Sequence, residues 1–161
     1  MVTGCPSMSG SITLRHHAVV RFLETGMVRR GYRVLRERTL ASGGRRVRPD
    51  LLVSTGDELL IFDVSIVGGR RDREEAGQAK VRKYAKEWIF KAAQEALGGA
   101  WARRRVVPVI LSWKGLWSVS SYRTLRGLRV SDRICLWIMQ RVVRGGLIIF
   151  NSFQRRAAGG P

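Results

Sequence analysis

The alternation of apolar and polar residues along the chain divides it into helical and extended stretches. In LRHHAVVRFLETGMVRRGY, residues Leu14, Val19, Phe22, Leu23 and Val28 recur near a helical period, and Gly31 marks a stop. YRVLRERTL alternates as a strand does, whereas ASGGRRVRP reads as a loop. DLLVS and ELLIFDVSIV are two further strands joined at TGD. The next stretch, GGRRDREEAGQAKVRKYAKEWIFKAAQEALGG, is predicted to be one long helix, with Glu74 and Glu75 in its early turns and Gly98 and Gly99 at its end. RRVVPVILSW is a buried strand. VSDRICLWIMQRVV starts a helix capped by Ser131 or Asp132, predicted to break at Gly145 and Gly146 and to resume at LIIFNSFQRR. The first ten residues read as a loop or a cut end.

The order helix, three strands, helix, strand, helix gives an α/β fold, a mixed sheet flanked by helices. At 161 residues one domain is expected.

The strand ELLIFDVSIV poses a chemical problem, because Asp63 lies at its apolar centre. A buried carboxylate needs a cation, a hydrogen-bond donor or a metal. A two-residue turn at Thr55 and Gly56, or a four-residue turn from Ser54 to Asp57, would set Val53 opposite Glu58 and Asp50 opposite Ile61. Asp50 and Asp63 would then be diagonal neighbours on one face, roughly 7 to 8 Å apart. An odd turn would send them to opposite faces. Two carboxylates so placed repel unless a proton or a divalent ion lies between them, and oxygen ligands select Mg²⁺ or Mn²⁺ over zinc. The plainer alternative is that Asp63 pairs with a buried Arg, and Pro-Asp at residue 50 is only a turn. On the long helix Lys80 and Tyr84 lie one turn apart at the edge of an apolar face of Ala85, Trp88, Ala92 and Ala96, while Lys83 and Lys86 point away. Lys80 can lay its stem on the sheet and aim its ammonium at the carboxylates.

Charge narrows the partner. Lys and Arg number 30 against 12 Asp and Glu, for a net charge of +18. Arg accounts for 25 of the 30, and no acidic residue lies between Glu95 and Asp132 or beyond Asp132. Such an excess points to a polyanion, with nucleic acid favoured over a membrane surface because the cations are spread along the chain. Arg45, Arg46, Arg48, Arg103, Arg104 and Arg105 are candidates to grip a DNA backbone. No uninterrupted apolar run approaches the ~18 residues of a membrane span, and a signal-peptide core is absent, so a soluble, intracellular protein is expected. Cys5 and Cys135 cannot form a disulfide framework, and Cys135 is expected to be a buried small hydrophobe.

RPD, then FDVSIV with its aspartate thirteen residues on, then KVRKY with Lys80 seventeen beyond Asp63, resemble the restriction-enzyme-like endonuclease at the C-terminal end of site-specific non-LTR retrotransposon polyproteins, a variant of the PD-(D/E)xK superfamily. CPSMSGSITLRHHAVVRFL and LRVSDRICLWIMQRVVRGGLIIFNSF are similar to the flanks of that domain. The resemblance implies a restriction-endonuclease-like fold over residues 14–161, preceded in 1–13 by the remnant of a zinc-knuckle linker. It implies that Asp50 and Asp63 bind Mg²⁺ or Mn²⁺, that Lys80 is catalytic and that Tyr84 supports it. The superfamily's usual lysine, two residues after the second acid, is Ser65 here, so the helix supplies it. Glu24 would stand where some members carry an extra acid. The resemblance further implies nicking of double-stranded DNA in the nucleus to prime reverse transcription, within a polyprotein that also holds an RNA-directed DNA polymerase and uses the element RNA. Cys5 with Pro6 is similar to the last cysteine of the knuckle, whose other ligands are missing, so no zinc is expected; His16 and His17 are expected to pack or to contact backbone. The alternative is a catalytically inactive, basic nucleic-acid-binding fragment of a decayed element.

Overall fold

The computed structural model describes residues 6–68 and 72–158. In chain order the elements are α1 (Pro6–Val28), β1 (Arg33–Arg36), β2 (Leu40–Ser42), β3 (Arg45–Val47), β4 (Leu51–Ser54), β5 (Glu58–Val67), α2 (Arg73–Tyr84), α3 (Glu87–Leu97), β6 (Arg103–Ser112), α4 (Val119–Gly127) and α5 (Asp132–Ala158). The main sheet has the order β1-β4-β5-β6, antiparallel except for the parallel β5/β6 pair. The expected α/β fold with a mixed sheet flanked by helices is what forms.

Both faces of the sheet are covered, which is why β4 and β5 read as nearly unbroken apolar runs. On one face Val19, Val20, Leu23 and Met27 of α1 and Ile134, Ile138 and Val142 of α5 meet Leu60, Phe62 and Val64. Tyr84, Ile89, Ala93 and Leu97 of α2 and α3 meet Leu59 and Ile61 on the other. Pro108 sits within β6 without a lost ladder bond to a further strand, because β6 is the sheet's edge. Its outer side is served by Ser121 of α4, whose Oγ accepts from Ile110 N–H and donates to Pro108 O, both at 2.9 Å.

Several expectations are corrected. Among the described residues the first helix begins at Pro6, so residues 6–10 are helical and not loop. Its buried stripe is Val19, Val20, Leu23 and Met27, while Leu14 and Val28 are exposed. ASGGRRVRP holds most of a small hairpin, β2/β3, turning at Gly43 and Gly44, both at positive φ. The long helix is two: Ala85 leaves helical geometry and Lys86 is extended, and in α3 Ile89, Phe90, Ala93 and Leu97 are buried along with Ala92, while Trp88 and Ala96 of the expected face pack partly buried at its edge. The separate helix α4 between β6 and α5 was not foreseen.

At the C-terminus α5 runs unbroken through Gly145 and Gly146. These glycines allow close approach: a Cβ at Gly145 would stand 2.9 Å from Arg15 Cδ, and one at Gly26 would stand 3.0 Å from Ile134 Cδ1. α1 and α5 therefore pack antiparallel along much of their length. By length and composition alone Asp132–Asn151 could also cross a membrane, although its apolar residues do not form one uninterrupted run. Ile134, Ile138 and Val142 of that stretch are buried in the core. Cys135 is buried as expected, and Cys5 lies outside the described residues.

Candidate active site

The β4/β5 turn is even, as the pairing of the two aspartates requires, but it lies one residue later than expected. Thr55 N–H donates to Glu58 O at 3.1 Å, so Gly56, at φ 95, and Asp57 make the bend. The ladder pairs Leu51 with Phe62 and Val53 with Leu60, two residues out from the expected register. Parity is unchanged, so the faces stay as inferred. Continued by one residue, the register brings Asp50 beside Asp63 instead of opposite Ile61. There the ladder gives way to Asp50 N–H donating to Phe62 O at 3.1 Å.

Asp63 projects to the α2 side and is only 5% exposed. Its Oδ1 accepts the Tyr84 hydroxyl at 2.6 Å, and its Oδ2 stands against Lys80 Nζ as an ion pair. Lys80 and Tyr84 are four apart on α2, so one face of the helix delivers both. The carboxylate's partners thus lie within the chain: a lysine and a tyrosine, not a buried arginine, accompany it. Tyr84 is fully buried, and burial, followed by its hydrogen bond to Asp63 and the charges of Asp63 and Asp50, pushes its phenol far up. It acts as a fixed donor. Lys83, expected to point away, donates to Tyr84 Oη at 2.9 Å and lies over its ring.

Asp50 is held differently. Its Oδ2 accepts Val64 N–H at 2.6 Å, and its carbonyl accepts Glu37 N–H at 2.8 Å. His16 of α1 places Nε2 at 3.3 Å from both Asp50 Oδ2 and Val64 O. The hydrogen bond to Asp50 raises the imidazole pKa, opposed by partial burial and aided by the Asp50 charge, the Val64 carbonyl and the Asp63 charge. Glu37 in turn is bound by Arg48 and lies 3.3 Å from His17 Nε2. His16 was expected to touch backbone, which it does; its second contact, with a candidate site residue, was missed. The sequence carried a signal, since residues 16, 20, 23 and 27 share one helical stripe, and its last three members are buried in the core.

The remaining candidates fall elsewhere. Arg48 leads into Asp50 and is tied to Glu37. Arg45 stacks on Trp88, 5.0 Å from the ring centre, and Arg46 is exposed on the hairpin. Arg103, Arg104 and Arg105 lie at the far end of the β5/β6 pair, where Glu58 faces Arg103, whereas Asp63 faces Pro108. That is five residues, or about 16 Å, along the strand. They pair there with Asp57, Glu58 and Glu87. Glu24 is in an exposed ion pair with Arg36 at 2.9 Å and is not brought to the carboxylates.

No cluster of three or more His, Cys, Asp or Glu converges among the described residues. The two carboxylates, with the Val64 carbonyl beside them, offer hard oxygen donors. Among the described residues Asp63 Oδ2 is buried with no hydrogen bond, and its partner there is the lysine cation. This donor set fits Mg²⁺ or Mn²⁺, which take one or two carboxylates and keep water ligands, and it does not fit zinc.

No family model matches the chain. It is 27% identical over 155 residues to the "Retrovirus-related Pol polyprotein from type-1 retrotransposable element R2" of Nasonia vitripennis, covering 96% of this chain and 15% of that protein. Its homologues are R2 non-LTR retrotransposon Pol polyproteins. It is 28% identical over 154 residues to the type-2 R2DM polyprotein of Drosophila melanogaster, covering 92% of this chain and 14% of that protein. For the R2 polyprotein of Popillia japonica the figures are 28% over 169 residues, 99% and 34%. The chain thus spans between about one seventh and one third of the length of these R2 relatives.

Proposed function

We propose that this chain is the endonuclease domain of an R2-like retrotransposon polyprotein, a PD-(D/E)xK variant that nicks double-stranded DNA in the nucleus to prime reverse transcription of the element RNA. The observation that carries this reading is the convergence of Asp50, Asp63, Lys80 and Tyr84, distant in sequence, at one place where β4 leaves β5. Asp50 and Asp63 would hold Mg²⁺ or Mn²⁺. Such an ion, when bound, lowers the pKa of its water and neutralises charge on the scissile phosphate. Tyr84 keeps Asp63 aimed through Oδ1, and the Val64 amide with His16 aims Asp50. The Lys80 ammonium, a quarter exposed beside Asp63, would meet the negative charge that grows on the phosphate oxygens as the bond breaks. A reverse transcriptase domain in the rest of the polyprotein would use the 3′ end.

The test is nicking of supercoiled plasmid with Mg²⁺, Mn²⁺ or EDTA. Nicking that needs the divalent ion and is abolished by Asp50→Ala and by Asp63→Ala supports the reading. Plasmid binding without nicking in the wild type, whichever divalent ion is supplied, would instead favour an inactive binding fragment.

A further inference from the structure

Between α1, the end of β1 and α5 lies a cleft of about 710 Å³ that no role above uses. Arg21, Arg36 and Arg141 come to it from those three elements. Arg36 is fixed by Glu24, whereas among the described residues neither Arg21 nor Arg141 has an acidic partner. The acid in its wall, Glu37, is already bound by Arg48. Between the cations the lining mixes apolar residues, with Leu14 exposed and Phe22 half-buried, with His17 and Thr25. Glu37 also joins the cleft to the site, since its N–H donates to the Asp50 carbonyl.

Two arginines without an acidic partner among the described residues, beside Leu14 and the Phe22 ring, suit phosphates and bases together, the chemistry of an unpaired strand. The volume is that of a small-ligand pocket, room for a nucleotide or two and not for a duplex. We propose that this cleft binds single-stranded nucleic acid, seating a strand that runs on from the carboxylate site. The inference rests on the endonuclease reading only for that continuity.

The test uses the whole chain in EDTA, with a fluorescent ten-nucleotide strand as DNA, as RNA, and as a DNA duplex. Arg21→Ala with Arg141→Ala is compared with Lys91→Ala plus Arg123→Ala, an equal charge removed from exposed positions on α3 and α4. The cleft pair should lose about tenfold in single-strand affinity and lower the salt slope by about 1.4, at roughly 0.7 per phosphate contact, with a smaller loss for duplex. Phe22→Leu should weaken single-strand binding about fivefold with an unchanged slope, as lost stacking does. The tighter of the DNA and RNA arms names the strand. Equal losses from the two charge pairs, or an equal loss for duplex, would overturn the proposal. A chain that never nicks plasmid refutes the endonuclease reading and leaves this binding comparison intact.

Discussion

The Tyr84 hydroxyl donates to Asp63 Oδ1 at 2.6 Å from a ring with no solvent exposure. Hydrogen bonds to a charged group contribute roughly 1.5–3 kcal/mol, and losing one leaves a buried carboxylate oxygen without its donor. Tyr84→Phe preserves the ring packing. It should lower unfolding stability by about 1–3 kcal/mol and also slow nicking, because Asp63 loses its orientation. Urea denaturation and plasmid nicking check the two effects; a stability identical to wild type would mean that the contact does not form.

Lys80→Ala should reduce the nicking rate far more than it reduces DNA affinity. One cation among the 30 in the chain adds little to ground-state binding, whereas a charge beside the scissile phosphate acts where negative charge develops. Single-turnover rates and equilibrium titrations separate the effects, and equal losses would reduce Lys80 to an ordinary phosphate contact. The structure adds a consequence for stability. Among the described residues Lys80 is the partner of buried Asp63 Oδ2, so its removal leaves that carboxylate underpaired, and stability should fall in metal-free buffer and recover when Mg²⁺ is added.

His16→Ala should weaken the affinity for Mg²⁺ without altering DNA binding. His16 Nε2 reaches both Asp50 Oδ2 and Val64 O, so the imidazole helps hold the carboxylate against the Val64 amide. Without it, Asp50 keeps one donor and gains freedom. The Mg²⁺ concentration for half-maximal nicking should rise by several-fold, with partial rescue by His16→Gln, whose amide can donate at similar reach. An unchanged Mg²⁺ midpoint in His16→Ala would show that the contact is structural only.

How much of this was legible in the sequence differs from element to element. Strands β4, β5 and β6 were legible because burial on both faces leaves runs of Val, Ile and Leu with turn residues between them. Asp63, Lys80 and Tyr84 were legible because a lone carboxylate in such a run demands partners and residues four apart share a helix face. The break at Ala85 was not, since nothing in KYAKEW disfavours a helix locally. Gly145 and Gly146 misled for the opposite reason: they resemble a break, but their small size serves the packing of α5 on α1. The register slipped by two because both placements keep the same residues on the same face, so hydrophobic pattern cannot separate them.

Gly10→Ala tests the revised start of α1. Gly10 lies within Pro6–Val28, and a Cβ there would meet no heavy atom within 4 Å. In a helix interior Ala is favoured over Gly by roughly 0.5–1 kcal/mol, because it loses less conformational freedom on folding. If residues 6–13 are helical, Gly10→Ala should raise Tm by about 1–4 °C for a chain of this size and increase helical circular dichroism slightly. A loop in that stretch would have no such preference. A Tm unchanged or lowered by the substitution would restore the helix start near Leu14 and, with it, the expectation of an irregular segment ahead of the first histidine.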